Sequence, residues 1–210
     1  MSRRSSERHT TFFNLTDALA AKGCALCALT AKAARDDLDA MLYENVNDPA
    51  TRRALADSLG FCSAHAGLAR ELRDAFGIAM LYETLCRGLA ARIENSDRPA
   101  PTTLCPVCKT AREAEARYVA EFCAHIGEPD FLQSFCESDG FCLAHFEQVM
   151  RVLPDAARPI VQAHQAKTFR TLADELKNFV KKHDYQNTDA IGPEADAWCR
   201  ALDKIAGSGP

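Results

Sequence analysis

Four short motifs hold most of the reactive side chains. Cys24-Ala25-Leu26-Cys27 and Cys105-Pro106-Val107-Cys108 each place two thiols three residues apart. Cys62-Ser63-Ala64-His65 and Cys142-Leu143-Ala144-His145 place a thiol and an imidazole at the same spacing. Two thiolates so spaced chelate one ion where the backbone turns between them. A cysteine and a histidine three apart on the first turn of a helix face the same way. Both C-x-x-C motifs stand where a helix is predicted to begin, and there the free N–H groups and the helix dipole favour thiolate over thiol.

Taken in chain order, each half of the sequence offers three cysteines and a histidine: Cys24, Cys27, Cys62 and His65, then Cys105, Cys108, Cys142 and His145. Such sets suit closed tetrahedral zinc, two ions per chain. Each ion would supply an apparent ~10–16 kcal/mol coupled to folding. Three cysteines and a histidine also hold an iron–sulfur cluster, so two clusters per chain are the alternative. Grouping across the halves, Cys24/Cys27 with Cys142/His145, satisfies the same chemistry. A single C-x-x-C would read as two buried small hydrophobes. Two of them, each followed by C-x-x-H at a near-constant separation, point to metal.

The chain has ten cysteines, and the remaining four, Cys86, Cys123, Cys136 and Cys199, have no counterpart in the opposite half. Cys86 and Cys123 fall inside predicted helices and read as core fillers. Cys199, beside Trp198, is a free thiol with no activating neighbour in sequence. No nucleophile elbow, phosphate loop or H-E-x-x-H motif is present. A catalytic zinc keeps one position for water, whereas each set here is already full, and the expectation leans against an enzyme. Lys182-His183-Asp184-Tyr185 is the one stretch that could do acid–base work. At a helix C-terminus, lysine and histidine also serve the helix dipole.

These motifs are parts of an internal repeat. Ser58-Leu59-Gly60-Phe61-Cys62-Ser63-Ala64-His65 is answered by Ser138-Asp139-Gly140-Phe141-Cys142-Leu143-Ala144-His145, with six of eight positions identical. Asp48-Pro49 is answered by Glu128-Pro129, and Leu55 by Phe135. The composition favours helix, with no alternating β-branched run, and the predicted fold is all-α: a duplicated helical bundle with one Cys3His metal site per repeat. In each repeat an outgoing helix (28–44 in the first) and a shorter returning one (49–59) form a hairpin that brings its two motifs together. Proline at the first helical position marks the second start. After His65, apolar residues at Leu68, Leu72, Phe76, Ala79, Tyr82, Leu85, Leu89 and Ile93 predict one long helix with a single buried stripe. Pro154 interrupts the corresponding stretch in the second half. The expected organisation is a flexible start (1–14), first repeat (15–98), second repeat (99–184) and a tail (185–210) with a short helix near Trp198.

Net charge is −4, pI near 5.9, and the densest basic stretch, Lys177 to Lys182, holds three lysines around Phe179 and Val180. No concentrated basic face for nucleic acid follows, and no apolar run approaches the length of a membrane span. The start lacks the apolar segment of a signal peptide, so a cytoplasmic location is expected. A protein partner on exposed helix faces is the expected interaction, and oligomeric state is left open. The paired C-x-x-C and G-F-C-x-x-H halves, Tyr43-Glu44-Asn45-Val46-Asn47-Asp48-Pro49 and the Lys182-His183-Asp184-Tyr185... Asp196-Ala197-Trp198 tail resemble an uncharacterised prokaryotic family, a domain of unknown function, over roughly residues 15–205. The resemblance implies that duplication and tail are family features and brings no activity with it. Gln186-Asn187 and Cys199 depart from the more basic, cysteine-free tail of that family.

Overall fold

Helix starts follow local chemistry that the sequence carries openly. Asp48 is the N-cap of the helix beginning at Pro49, its carboxylate accepting the Thr51 N–H at 3.0 Å. The first cysteine of each motif occupies the same kind of position. The carbonyls of Cys24, Cys62, Cys105 and Cys142 accept the N–H groups of Ala28, Ala66, Lys109 and Phe146. The second ligand of each motif therefore lies in a first helical turn.

The computed structural model describes residues 10–184, 187 and 189–207. Its helices are α1 (Thr10–Ala20), α2 (Ala25–Tyr43), α3 (Pro49–Ser58), α4 (Ser63–Leu72), α5 (Ala75–Glu94), α6 (Pro106–His125), α7 (Pro129–Glu137), α8 (Leu143–Val152), α9 (Arg158–Lys182) and α10 (Ala197–Ala206). A 3-10 turn spans Pro193–Asp196, and the described residues contain no strand. Among them, no helix is long and apolar enough to cross a membrane. The expected flexible start lies outside the described residues up to His9. From Thr10 it is helix, because Phe12, Leu15 and Leu19 form a buried stripe on α1.

The described residues divide into two compact units. One holds those up to Leu29 and from Glu115 onward, the other Thr30–Ala114. The divisions fall inside α2 and α6, so each of these helices starts in one unit and ends in the other. The sequence repeats and the compact units are thus different partitions of the chain.

The first unit is built on aromatic rings. Phe122 lies 4.9, 5.1 and 5.8 Å from Phe141, Phe135 and Phe131 between ring centroids, and all four are fully buried. Such edge-on clusters add to plain area burial. Phe122→Ala is expected to cost about 3–5 kcal/mol, measurable as a lower urea midpoint at unchanged slope. The second unit has a leaner aliphatic core of Leu38, Leu42, Leu55, Leu81 and Val107 with Ala34 and Ala69.

Two expectations need correction here. The long helix after His65 is broken: Arg73 ends α4 in the left-handed region (φ 60°), and Asp74 restarts α5 by accepting the Gly77 N–H at 2.8 Å. The break resets the helical phase, so the continuous stripe does not exist. Phe76 and Ile93 are exposed, and Leu81 is the buried anchor of α5. Cys86 is exposed rather than core, because it stands five positions and about 140° around the helix from Leu81. Cys123 is partly buried. Pro154 does separate α8 from α9 as the periodicity implies.

Candidate metal centres

Eight candidate ligands come from the first turns of four helices. Cys24 and Cys27 open α2, Cys62 and His65 open α4, Cys105 and Cys108 open α6, and Cys142 and His145 open α8. The C-x-x-H turns are held by tight backbone geometry. Gly60 and Gly140 have φ of 93° and 69°, a region that suits glycine. A Cβ there would stand 2.9 Å from the Tyr82 hydroxyl or 2.8 Å from the Gln165 side-chain oxygen. Those same atoms accept the N–H groups of Phe61 and Phe141, each at 3.0 Å. The glycine repeated in both halves is therefore what lets the turn approach its anchor and aim the following cysteine.

All eight predicted residues converge, in two tetrads whose ligand atoms lie within 4.8 Å of one another: Cys24, Cys27, Cys142 and His145, and Cys62, His65, Cys105 and Cys108. The grouping within each repeat is overturned in favour of the cross-repeat alternative. Helix lengths supply the reason. The 19-residue α2 rises about 28 Å and the 10-residue α3 returns only about 15 Å. Three linking residues, 59–61, do not close that gap when Leu59 and Gly60 are curled into the left-handed region. Each C-x-x-H thus stays in the unit where its outgoing helix ends, and meets the C-x-x-C that begins the other repeat. The first tetrad lies wholly in the first unit and the second wholly in the second.

Distances within the tetrads match one ion each. Tetrahedral zinc with its usual bond lengths places sulfurs about 3.8 Å apart and a sulfur about 3.6 Å from a nitrogen. In the first centre Cys27 and Cys142 sulfurs are 3.6 Å apart, and His145 Nδ1 is 3.5, 3.3 and 3.2 Å from Cys24, Cys27 and Cys142. In the second, Cys62 and Cys108 are 3.6 Å apart, and His65 Nδ1 is 3.2, 3.6 and 3.3 Å from Cys62, Cys105 and Cys108. Both histidines present Nδ1 inward, leaving Nε2 to orient the ring. These two Cys/His groups can bind metal ions.

Electrostatics inside the first centre favour charge separation. Hydrogen bonds from Cys24 and Cys27 hold the Cys142 thiol far below its ordinary value, while hydrogen bonding to Cys142 and Cys27, with burial, pushes Cys24 up. Burial opposes a charge on His145, but its hydrogen bonds to Cys142 and Cys27 and their negative charge push it up to about 10. In the second centre burial depresses His65 against the pull of Asp37, and burial with the neighbouring thiols pushes Cys108 up to about 12. Loading a metal on either set expels protons.

Around the first centre, His145 Nε2 meets the Glu115 carboxylate at 2.9 Å, the orienting partner that metal-bound histidines ordinarily have. Nothing in the sequence marks Glu115 out from Glu113 or Glu121 on the same helix, and sequence reasoning missed it. The acid–base candidate is dispersed. Lys182 pairs with Glu194 at 2.8 Å and donates to the Ala190 carbonyl, holding the tail. The Gly192 N–H, followed by this pair, holds the Glu194 carboxyl down to about 2. His183 donates to the Phe179 carbonyl at 2.8 Å as a helix-end partner, and Tyr185 lies outside the described residues. Of the remaining thiols, Cys136 is exposed and Cys199 half-buried.

A family of unknown function, DUF6062, matches the chain twice, over residues 8–103 and again over 98–210. No curated protein and no solved structure matches it.

Proposed function

We propose, from the premise that the chain belongs to this family of unknown function, that each tetrad holds one zinc ion in a closed structural site. On this reading the helical body is a binding or adaptor module rather than an enzyme. The observation that carries the zinc reading is the spacing: the Cys27–Cys142 and Cys62–Cys108 sulfur separations of 3.6 Å and the sulfur–nitrogen separations of 3.2 to 3.6 Å lie near the edge of a single tetrahedron. An iron–sulfur cluster distributes its protein ligands over different irons bridged by sulfide. Four ligand atoms within 4.8 Å leave room for one ion instead.

With three thiolates and an imidazole bound, zinc has no position left for substrate water, which supports a structural role. The adaptor reading draws on α10, where Trp198, Leu202 and Ile205 form an exposed apolar stripe at helical spacing. Elemental analysis of anaerobically purified protein tests the metal. Two zinc per chain and no visible absorption are expected. A brown chromophore with iron and acid-labile sulfide overturns zinc in favour of the redox alternative.

A further inference from the structure

Resting on the zinc reading, we infer that the two centres have different jobs: the first holds its ion permanently, and the second is the site at which zinc exchanges with outside ligands. The tetrads share ligand types and spacing, so the difference must come from their surroundings.

Three features separate them. All four ligands of the first centre are buried, whereas Cys62 and Cys108 of the second are partly exposed. Exchange proceeds by an incoming donor bonding to zinc as a thiolate leaves and takes a proton, so a reachable sulfur is where it begins. Second, His145 is fixed by Glu115 at 2.9 Å. His65 Nε2 is buried with no hydrogen-bond partner among the described residues, and so is one oxygen of Asp37. Outer partners of this kind are worth about 10–100-fold in metal affinity.

Third, zinc with three thiolates carries a net charge of −1. In the first unit the Lys204 ammonium, donating to the Asp139 carbonyl, acts on Cys24 and Cys142. No such cation stands among the main influences on Cys62, His65 or Cys108, where the charged group acting on His65 is the Asp37 carboxyl. α10 brings Lys204, and at its end Gly207 packs so closely that a Cβ would stand 3.6 and 3.7 Å from the Cys142 and Cys27 sulfurs. Among the described residues the second unit holds no counterpart of α10. A cavity of about 290 Å³ reaches Cys24, yet Cys24 is only 7% exposed, and Lys204 lines the same space.

The test challenges the zinc-loaded full chain with excess 4-(2-pyridylazo)resorcinol under reducing conditions and follows zinc release. One equivalent is expected to leave at least ~10-fold faster than the other. Glu115→Gln is expected to accelerate only the slow phase. Alkylation of the loaded wild-type chain with iodoacetamide, mapped by peptide mass, needs no variant. The exposed Cys86 and Cys136 serve as reference thiols. Cys62 and Cys108 are expected to react well before Cys24, Cys27 and Cys142. Release of both equivalents at one rate, or earlier alkylation of Cys24, Cys27 and Cys142, overturns this inference and leaves the zinc reading standing. A chain that takes up no zinc overturns both.

Discussion

Stripped of both ions by a chelator in the presence of a reductant, the chain is expected to lose its cooperative thermal transition and much of its helical circular dichroism. A domain's net stability is only about 5–15 kcal/mol, while each structural zinc contributes an apparent ~10–16 kcal/mol at neutral pH. Removing two such terms exceeds what packing leaves over. The loss is uneven in its origin. The second unit has no fully buried aromatic ring, and its core rests on Leu38, Leu55 and Val107 with neighbouring leucines and alanines. The first keeps the Phe122, Phe131, Phe135 and Phe141 cluster and should retain more collapsed helix. Restoring zinc should restore the transition. A metal-free chain that melts at the same temperature as the loaded one would contradict the coupling of metal to fold.

Cys142→Ser and Cys62→Ser are each expected to leave one zinc per chain and to destabilise different units. Serine supplies no thiolate, so the ion loses a strong ligand, and the remaining buried sulfurs and imidazole lose the charge that organised them. The cost should exceed the ~3 kcal/mol of an ordinary substitution. Hydrogen exchange locates it. Cys142→Ser should deprotect amides in the unit of α1, α7, α8 and α9, including the start of α2. Cys62→Ser should deprotect α3, α4, α5 and the start of α6. The start of α6 belongs to the other sequence repeat, so its response distinguishes exchanged pairing from pairing within a repeat. Uniform loss of protection along the whole chain would contradict two separable centres.

The residues that converge in the two tetrads were legible because spacing is a local property: a motif four residues long needs only its own first turn to aim two side chains. Asp48-Pro49 likewise announced a helix start, since capping involves nothing beyond Thr51. Partner choice was not legible. Whether His65 meets Cys24 or Cys105 depends on how far α3 returns along α2, and the hairpin expectation relied on Ser58 to Phe61 to span a gap that Leu59 and Gly60 instead curl away from. The break at Arg73 escaped notice because apolar residues continue at steps of three and four across it. Only the Asp74 cap and a left-handed Arg73 reveal it. Glu115 was invisible for the same kind of reason. Its role is fixed by a histidine 30 residues away, which no helical periodicity encodes.

Native mass spectrometry of two double variants loaded with zinc tests the exchanged tetrads most directly. Cys24→Ser with Cys142→Ser removes two ligands from one centre, and the chain should carry one zinc. Cys24→Ser with Cys62→Ser removes one ligand from each centre, and the chain should carry none. One zinc in the second variant and none in the first would show that each repeat binds its own ion, against the arrangement described here.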